Sequence, residues 1–162
     1  MKVSIFAVGR MKSGPEKDLA DRYTERFARA GPAIGLEFAG ITEIVESRRG
    51  SVPERCREEA AALAGQLGDK RLVLLDEGGR NLASEDFAAR LGRWRDDGLR
   101  EIQFAIGGPD GHDPELKDKA ALVLSFGAAT WPHQIVRILL AEQLYRAATI
   151  LSGHPYHRGG QG

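Results

Sequence analysis

Arg71-Leu72-Val73-Leu74-Leu75-Asp76 decides the fold. Its apolar residues run without a polar alternation, the pattern of a short strand buried on both faces, as in a parallel sheet. Working outward, Glu77-Gly78-Gly79-Arg80 reads as a turn. Ser84 then caps a helix that runs to about Asp97, with Asp86 in its first turn. A second buried strand, Ile102 to Ile106, ends in Gly107-Gly108-Pro109-Asp110-Gly111-His112. A short helix follows Asp113-Pro114, and Ala121 to Ser125 is the last strand. Phe126 to His133 is a loop, and Gln134 to Leu151 is the longest and most apolar helix. Toward the N-terminus, Val3 to Val8 is a compact apolar strand. Gly14-Pro15 opens a helix to Ala30, on which Leu19, Tyr23, Phe27 and Ala30 recur at helical spacing. Ile34 to Ile41 is a weaker strand. Thr42 to Val52 reads as a mobile polar loop, basic at Arg48-Arg49-Gly50, and Pro53 to Leu67 as a helix ending near Gly68.

Strand and helix alternate five times. The expected class is therefore α/β, a mostly parallel sheet with helices on both faces. In such sheets ligands bind beyond the carboxyl ends of the strands, which selects the loops after Leu75, Ile106 and Ser125. The length of 162 residues suits one domain, taken as residues 1–162. A hydrophobic share of 42% and a charged share of 28% fit a soluble globular protein. Cys56 is the lone cysteine, so no intramolecular disulfide forms and a reducing, cytoplasmic compartment is expected. The start Met1 to Gly9 reads as a strand, not a signal peptide, and no apolar run is long enough to span a bilayer.

Formal net charge is zero, which argues against a simple nucleic-acid coat. Its distribution is uneven. Residues 1–30 carry a net +3 and residues 130–162 a net +2, leaving −5 for the middle. Two basic ends that meet in space could form one RNA-facing patch; solvated surface charge is the plainer reading.

The glycines of Gly107 to Gly111 let a ligand approach the backbone, although a tight strand–helix turn would look the same. The loop matches neither a dinucleotide fingerprint nor a Walker loop. In Phe126 to Pro132, Gly127, Ala128 and Ala129 leave room for a planar ligand between Phe126 and Trp131, unless those aromatics simply plug the core. The last helix is apolar around too much of its circumference for one core face, which points to a second subunit. On its polar remainder Glu142 and Arg146 stand four apart and can pair. Arg137, just after the Trp131-Pro132-His133 turn, is a site candidate. His154, Tyr156, His157 and Arg158 crowd the tail and suit acid–base work or RNA contact better than metal, because no Cys or carboxylate pair stands at ligand spacing. No metal is expected. Cys56 reads as incidental, and no Gly-x-Ser-x-Gly elbow supports a hydrolase.

Three elements together resemble the ribosomal RNA large subunit methyltransferase H family, of the SPOUT (trefoil-knotted) methyltransferases. They are Met1-Lys2-Val3 to Ala7-Val8-Gly9, Ile106-Gly107-Gly108-Pro109-Asp110-Gly111, and Leu124-Ser125-Phe126 to Arg146-Ala147 closed by His154-Pro155-Tyr156-His157. The resemblance spans nearly the whole chain. It implies a C-terminal trefoil knot and a homodimer packed through the last helix. It implies transfer of a methyl group from S-adenosylmethionine to N3 of a pseudouridine in helix 69 of the large-subunit (23S) ribosomal RNA, on the assembled ribosome. It implies cofactor contacts at Leu75, Gly107, Phe126, Gly127, Ala128, Ala129, Thr130 and Trp131. Under it His154, Tyr156 and His157 are candidates to take or position the N3 proton, and Arg137 and Arg158 to hold phosphate or the uracil carbonyls. Two rival readings are a nucleotide-binding enzyme that uses the glycine loop for phosphate and a non-catalytic ribosome-binding module.

Overall fold

The structure is a computed structural model and describes residues 1–156. Five strands, β1 (Lys2–Val8), β2 (Glu37–Ile44), β3 (Arg71–Asn81), β4 (Glu101–Ile106) and β5 (Leu122–Ser125), form one sheet in the order β2-β1-β4-β3-β5. Every neighbouring pair is parallel. The helices α1 (Pro15–Ala30), α3 (Ser84–Asp96) and α5 (His133–Ser152) cover one face. Their core includes Phe27, Phe87, Leu91, Leu140 and Leu144 against Val3, Ile5, Val73 and Phe104. On the other face α2 (Val52–Leu67) and α4 (Pro114–Lys119) bury Leu63 and Leu116 against Phe6, Val8, Leu72, Leu74 and Ala105. The unbroken Leu72–Leu75 run thus feeds both cores, because successive residues of a strand point to opposite faces.

Four local expectations need correction. The second strand begins at Glu37 and not at Ile34, because Pro32–Ile34 forms a single 3-10 turn closed by Gly35 in the left-handed region. Pro32 lacks the N–H a ladder needs. The strand also continues through Thr42 to Ile44, shortening the expected loop at that end. Glu77 to Arg80 is not a turn that ends the strand but an excursion within β3. The strand pairs with β5 through Leu75, leaves it, and pairs again at Arg80 and Asn81. Finally, Ser84 does not cap α3. Ala83 holds the N-cap position, and the Ser84 hydroxyl donates to Oε1 of Gln143 on α5 at 2.8 Å. A real side-chain cap stands instead at α2, where Ser51 and Glu54 form a reciprocal capping box.

α5 explains the excess of apolar surface only in part. It lies against α1 and α3, and Leu140, Ala141, Leu144, Ala147 and Ala148 are fully buried within the chain. Ile135, Ile138 and Leu139 remain half-buried.

Candidate active site

The loops after β3, β4 and β5 meet in one cleft of about 680 Å³, well within the size range of small-molecule sites. Its walls include Leu75, Ile106, Leu124, Phe126 and Val136, and its polar rim includes Asp76, Glu77, Asp110, Lys117 and His133. Of the eight expected cofactor residues, Leu75, Gly107, Phe126, Gly127, Ala129, Thr130 and Trp131 line it; Ala128 does not. Gly127 has φ 119°, a backbone conformation that other residues rarely adopt.

The loops are tied to one another. The Thr130 hydroxyl donates to Glu77 at 2.7 Å, and the Ser125 hydroxyl lies within 3.2 Å of the Glu77 carbonyl. His112 ties the loop after β4 to the end of the first stretch of β3. Its Nε2–H donates to the Leu75 carbonyl at 3.1 Å, and its Cε1 lies 3.2 Å from where a Cβ on Gly107 would stand. Behind that turn, Arg55 on α2 makes a two-pronged ion pair with Asp110 at 2.6 and 3.0 Å. The pairing holds the Asp110 carboxyl below the ordinary range. Glu59, buried on the same helix, is pushed up by burial; it accepts the Ser47 N–H and lies beside Gly108. Burial also raises the Asp76 carboxyl, but Lys117 at 2.7 Å and the Gly78 N–H outweigh it and hold Asp76 below the usual value.

Burial holds the His112 imidazole below its ordinary pKa despite the nearby Asp76 carboxylate. A histidine kept neutral by folding contributes stability above its unfolded pKa of about 6.5, and that stability is lost as pH falls below it. The thermal midpoint should therefore drop between about pH 7.5 and about pH 5.5, and His112→Leu should flatten that part of the profile. The same substitution deletes the donor to Leu75 and should weaken binding of the cofactor that the resemblance implies, S-adenosylmethionine, about 2- to 10-fold at neutral pH. Unchanged affinity in a calorimetric titration would show that the hydrogen bond does not shape the cleft.

Arg137, the site candidate beside the Trp131-Pro132-His133 turn, is turned away from substrate. It is only 6% exposed. Its guanidinium is paired with Glu43 and donates to the Gly9 carbonyl at 3.0 Å, while Nε has no hydrogen-bond partner among the described residues. Burial raises the Glu43 carboxyl, but Arg137 and the Met11 N–H reverse the shift. Arg137 thus ties α5 to the loop after β1.

His154 and Tyr156 stand elsewhere. Neither lines the cleft; Tyr156 folds back against Tyr145 and Glu142 in the middle of α5, and Glu142 is about 14 Å along the helix from His133 at 1.5 Å per residue. The expected Glu142–Arg146 pair forms at 2.6 Å. It holds Tyr156: the phenol donates to Glu142 at 3.2 Å, and the Arg146 guanidinium lies 5.0 Å from the ring centroid. Burial, then Tyr23 and Glu142, push the phenol above its ordinary pKa, so it stays protonated at neutral pH and is a donor, not a base. The Tyr156 N–H donates to Nδ1 of the exposed His154. His157 and Arg158 lie outside the described residues. Sequence reading missed His112, Asp76 and Arg55. The only signal for His112 was its place at the end of the glycine loop.

A parallel sheet whose three carboxyl-end loops close one cleft, with the C-terminal helix rising from its wall, is the architecture of a SPOUT methyltransferase. The family described as "Predicted SPOUT methyltransferase" matches residues 1–157. The chain is 64% identical over 159 residues to "Ribosomal RNA large subunit methyltransferase H" of Mesorhizobium japonicum, covering 98% of this chain and 99% of the relative. It is 62% identical over 159 residues to the protein so named in Brucella anthropi, with the same coverage. The chain belongs to the ribosomal RNA large subunit methyltransferase H family of SPOUT methyltransferases. Among solved structures it is similar to a probable methylase family protein from Haemophilus influenzae Rd KW20, at 12% identity and a TM-score of 0.49, over 97% of this chain and 69% of that one. No helix among the described residues is long and apolar enough to cross a membrane.

Proposed function

We propose that this protein methylates N3 of a pseudouridine in helix 69 of the large-subunit (23S) ribosomal RNA on the assembled ribosome, with S-adenosylmethionine as methyl donor. The observation that carries the reading is the three-loop cleft, lined by every expected cofactor residue except Ala128. The cofactor fits what the cleft offers. Apolar walls suit a planar base, and Gly107 keeps a cradle open where a Cβ would lie 3.0 Å from the Gly111 carbonyl oxygen. The family relatives carry a name that fits the same reaction. When bound, S-adenosylmethionine supplies an electrophilic methyl on a sulfonium sulfur.

The chain's own residues have separable tasks. Leu75 and Gly107 form backbone walls that His112 holds in register. Phe126 and Trp131 give the cleft aromatic surface for a planar base. N3 must lose its proton as the new C–N bond forms. Tyr156, held protonated, suits a donor to a uracil carbonyl. His154 and His157 remain the candidates to take the proton. Arg137 acts by positioning the loop after β1.

His154 and Tyr156 do not line the cleft of their own chain, so a homodimer completes the site: the partner's tail reaches this cleft. The half-buried Ile135, Ile138 and Leu139, on one face of α5, support packing between subunits. Residues 1–162 form a single SPOUT domain with a C-terminal trefoil knot, an arrangement that ordinary connection rules exclude. The break in pairing between β3 and β5 from Leu75 to Arg80, an irregularity in the C-terminal half of the sheet, is consistent with it. We place the protein in the cytoplasm, where its substrate is.

Calorimetric titration with S-adenosylmethionine, followed by methyl transfer to ribosomes that lack the modification, tests the reading. Binding and transfer are expected. A folded, dimeric protein that binds no S-adenosylmethionine would refute it, and tight binding of a phosphorylated nucleotide instead would install the rival.

A further inference from the structure

Beside the cleft lie two loops that the reaction has not used. The loop after β1, Gly9 to Gly14, and the loop after β2, Val45 to Ser51, leave neighbouring parallel strands at the same edge of the sheet, since Val8 pairs with Ile44. Both are built, not loose. The first is held by Arg137 on the Gly9 carbonyl and by Glu43 on the Met11 N–H at 2.9 Å. The second is held by Glu59 on the Ser47 N–H at 2.9 Å, by Glu58 on the Ser47 hydroxyl and Arg49, and by Arg55 on the Arg49 carbonyl at 3.1 Å. The loops touch each other, because a Cβ on Gly9 would stand 3.3 Å from the Glu46 carboxylate. They also touch the cleft wall: Glu46 lies 3.8 Å from Nε2 of His133, and Arg55 and Glu59 reach the Gly108–Asp110 turn.

These fixed loops hold out Arg10, Lys12 and Arg48, all exposed. None of the three side chains has an ion-pair or hydrogen-bond partner among the described residues. The nearby acids are mostly occupied. Glu43 is paired with Arg137, Glu58 with Arg49 and Asp110 with Arg55, while Glu54 serves the α2 cap. Glu46 faces His133 alone. Three unpaired cations on a rigid rim next to a reaction cleft are a charge pattern that complements phosphate.

We infer that the rim of Arg10, Lys12 and Arg48 binds the phosphate backbone of the substrate RNA and seats it over the cleft. The inference rests on the ribosomal RNA reading above and adds to it the surface that does the seating. The rim positions the substrate and carries no sequence readout. A chain of zero net charge can hold RNA this way because the cations that matter are local and free.

The test uses the full-length dimer carrying R10E/K12E/R48E, with R10Q/K12Q/R48Q as a milder second variant. S-adenosylmethionine binding by calorimetry and the dimer by light scattering should match the wild type. KM for methyl transfer to unmodified ribosomes should rise at least about 10-fold, with kcat within about 2-fold. Each phosphate contact contributes roughly 0.7 to 0.9 to the slope of log affinity against log salt, so loss of all three should flatten the slope by about two to three. An unchanged KM and salt slope in both variants would overturn the rim while leaving the methyltransferase standing. A dissociated dimer would assign the surface to the second subunit and overturn it too. Failure of the wild type to methylate ribosomes would remove the activity reading and the rim with it.

Discussion

Gly107→Trp is expected to abolish S-adenosylmethionine binding, by at least about 100-fold in Kd, close to 3 kcal/mol. Gly107 closes β4 and lies in a turn with no spare volume. A Cβ there would stand 3.0 Å from the Gly111 carbonyl oxygen, 3.1 Å from its carbon and 3.2 Å from Cε1 of His112. An indole cannot be housed behind it. Either the turn opens, and His112 loses its grip on the Leu75 carbonyl, or the ring swings into the cleft and occupies it. Both routes remove the same site. Gly107→Ala asks only a few tenths of an ångström of the turn and should cost far less affinity. A Gly107→Trp protein that binds within about 10-fold of the wild type would mean that the cofactor does not use this cleft.

Gly79→Val is expected to destabilise the fold by about 3 to 5 kcal/mol, the range reserved for severe packing faults. A Cβ on Gly79 would stand 2.7 Å from both the carbonyl carbon and oxygen of Val123 and 2.8 Å from the Leu124 carbonyl carbon. Those atoms are backbone of β5 and cannot rotate away as a side chain can. The excursion of β3 therefore passes β5 at a distance that only hydrogen permits. Urea unfolding reads the effect directly. Gly65→Ala, inside α2 with nothing within 4 Å of the new Cβ, is the control and should stabilise by about 0.5 to 1 kcal/mol. Equal midpoints for Gly79→Val and the wild type would show that β3 and β5 can separate at little cost.

Much of this was legible in the chain. The two buried strands around Leu74 and Phe104 announced themselves because burial on both faces leaves no polar position to confuse the period. The loops after them, and the loop after Ser125, followed from the sheet rule, and they do converge. What failed did so where a long-range partner overrode a local signal. Glu77-Gly78-Gly79-Arg80 has turn chemistry, yet its second glycine serves close approach to β5. Ser84 has cap chemistry, yet Gln143, 59 residues away, takes its hydroxyl. Arg137 stands where a substrate-facing cation would, beside the turn, and only the fold reveals Glu43 and the Gly9 carbonyl waiting for it. The apolar girth of α5 was legible as a sum but not as a division between α1, α3 and the remaining Ile135–Ile138–Leu139 face. His112 was invisible because its role depends on the Leu75 carbonyl, 37 residues away.

The length of α5 has a consequence for inheritance as well as for chemistry. Its first residue, His133, lines the cleft, and the tail begins beyond Ser152 at its other end. On the proposed arrangement each chain therefore carries two half-sites that it cannot bring together. A chain ruined in the cleft and another ruined in the tail, each inert as a pure population, can assemble into a mixed pair in which one whole centre survives. A cell holding both defective alleles would keep part of the activity that neither allele supplies alone.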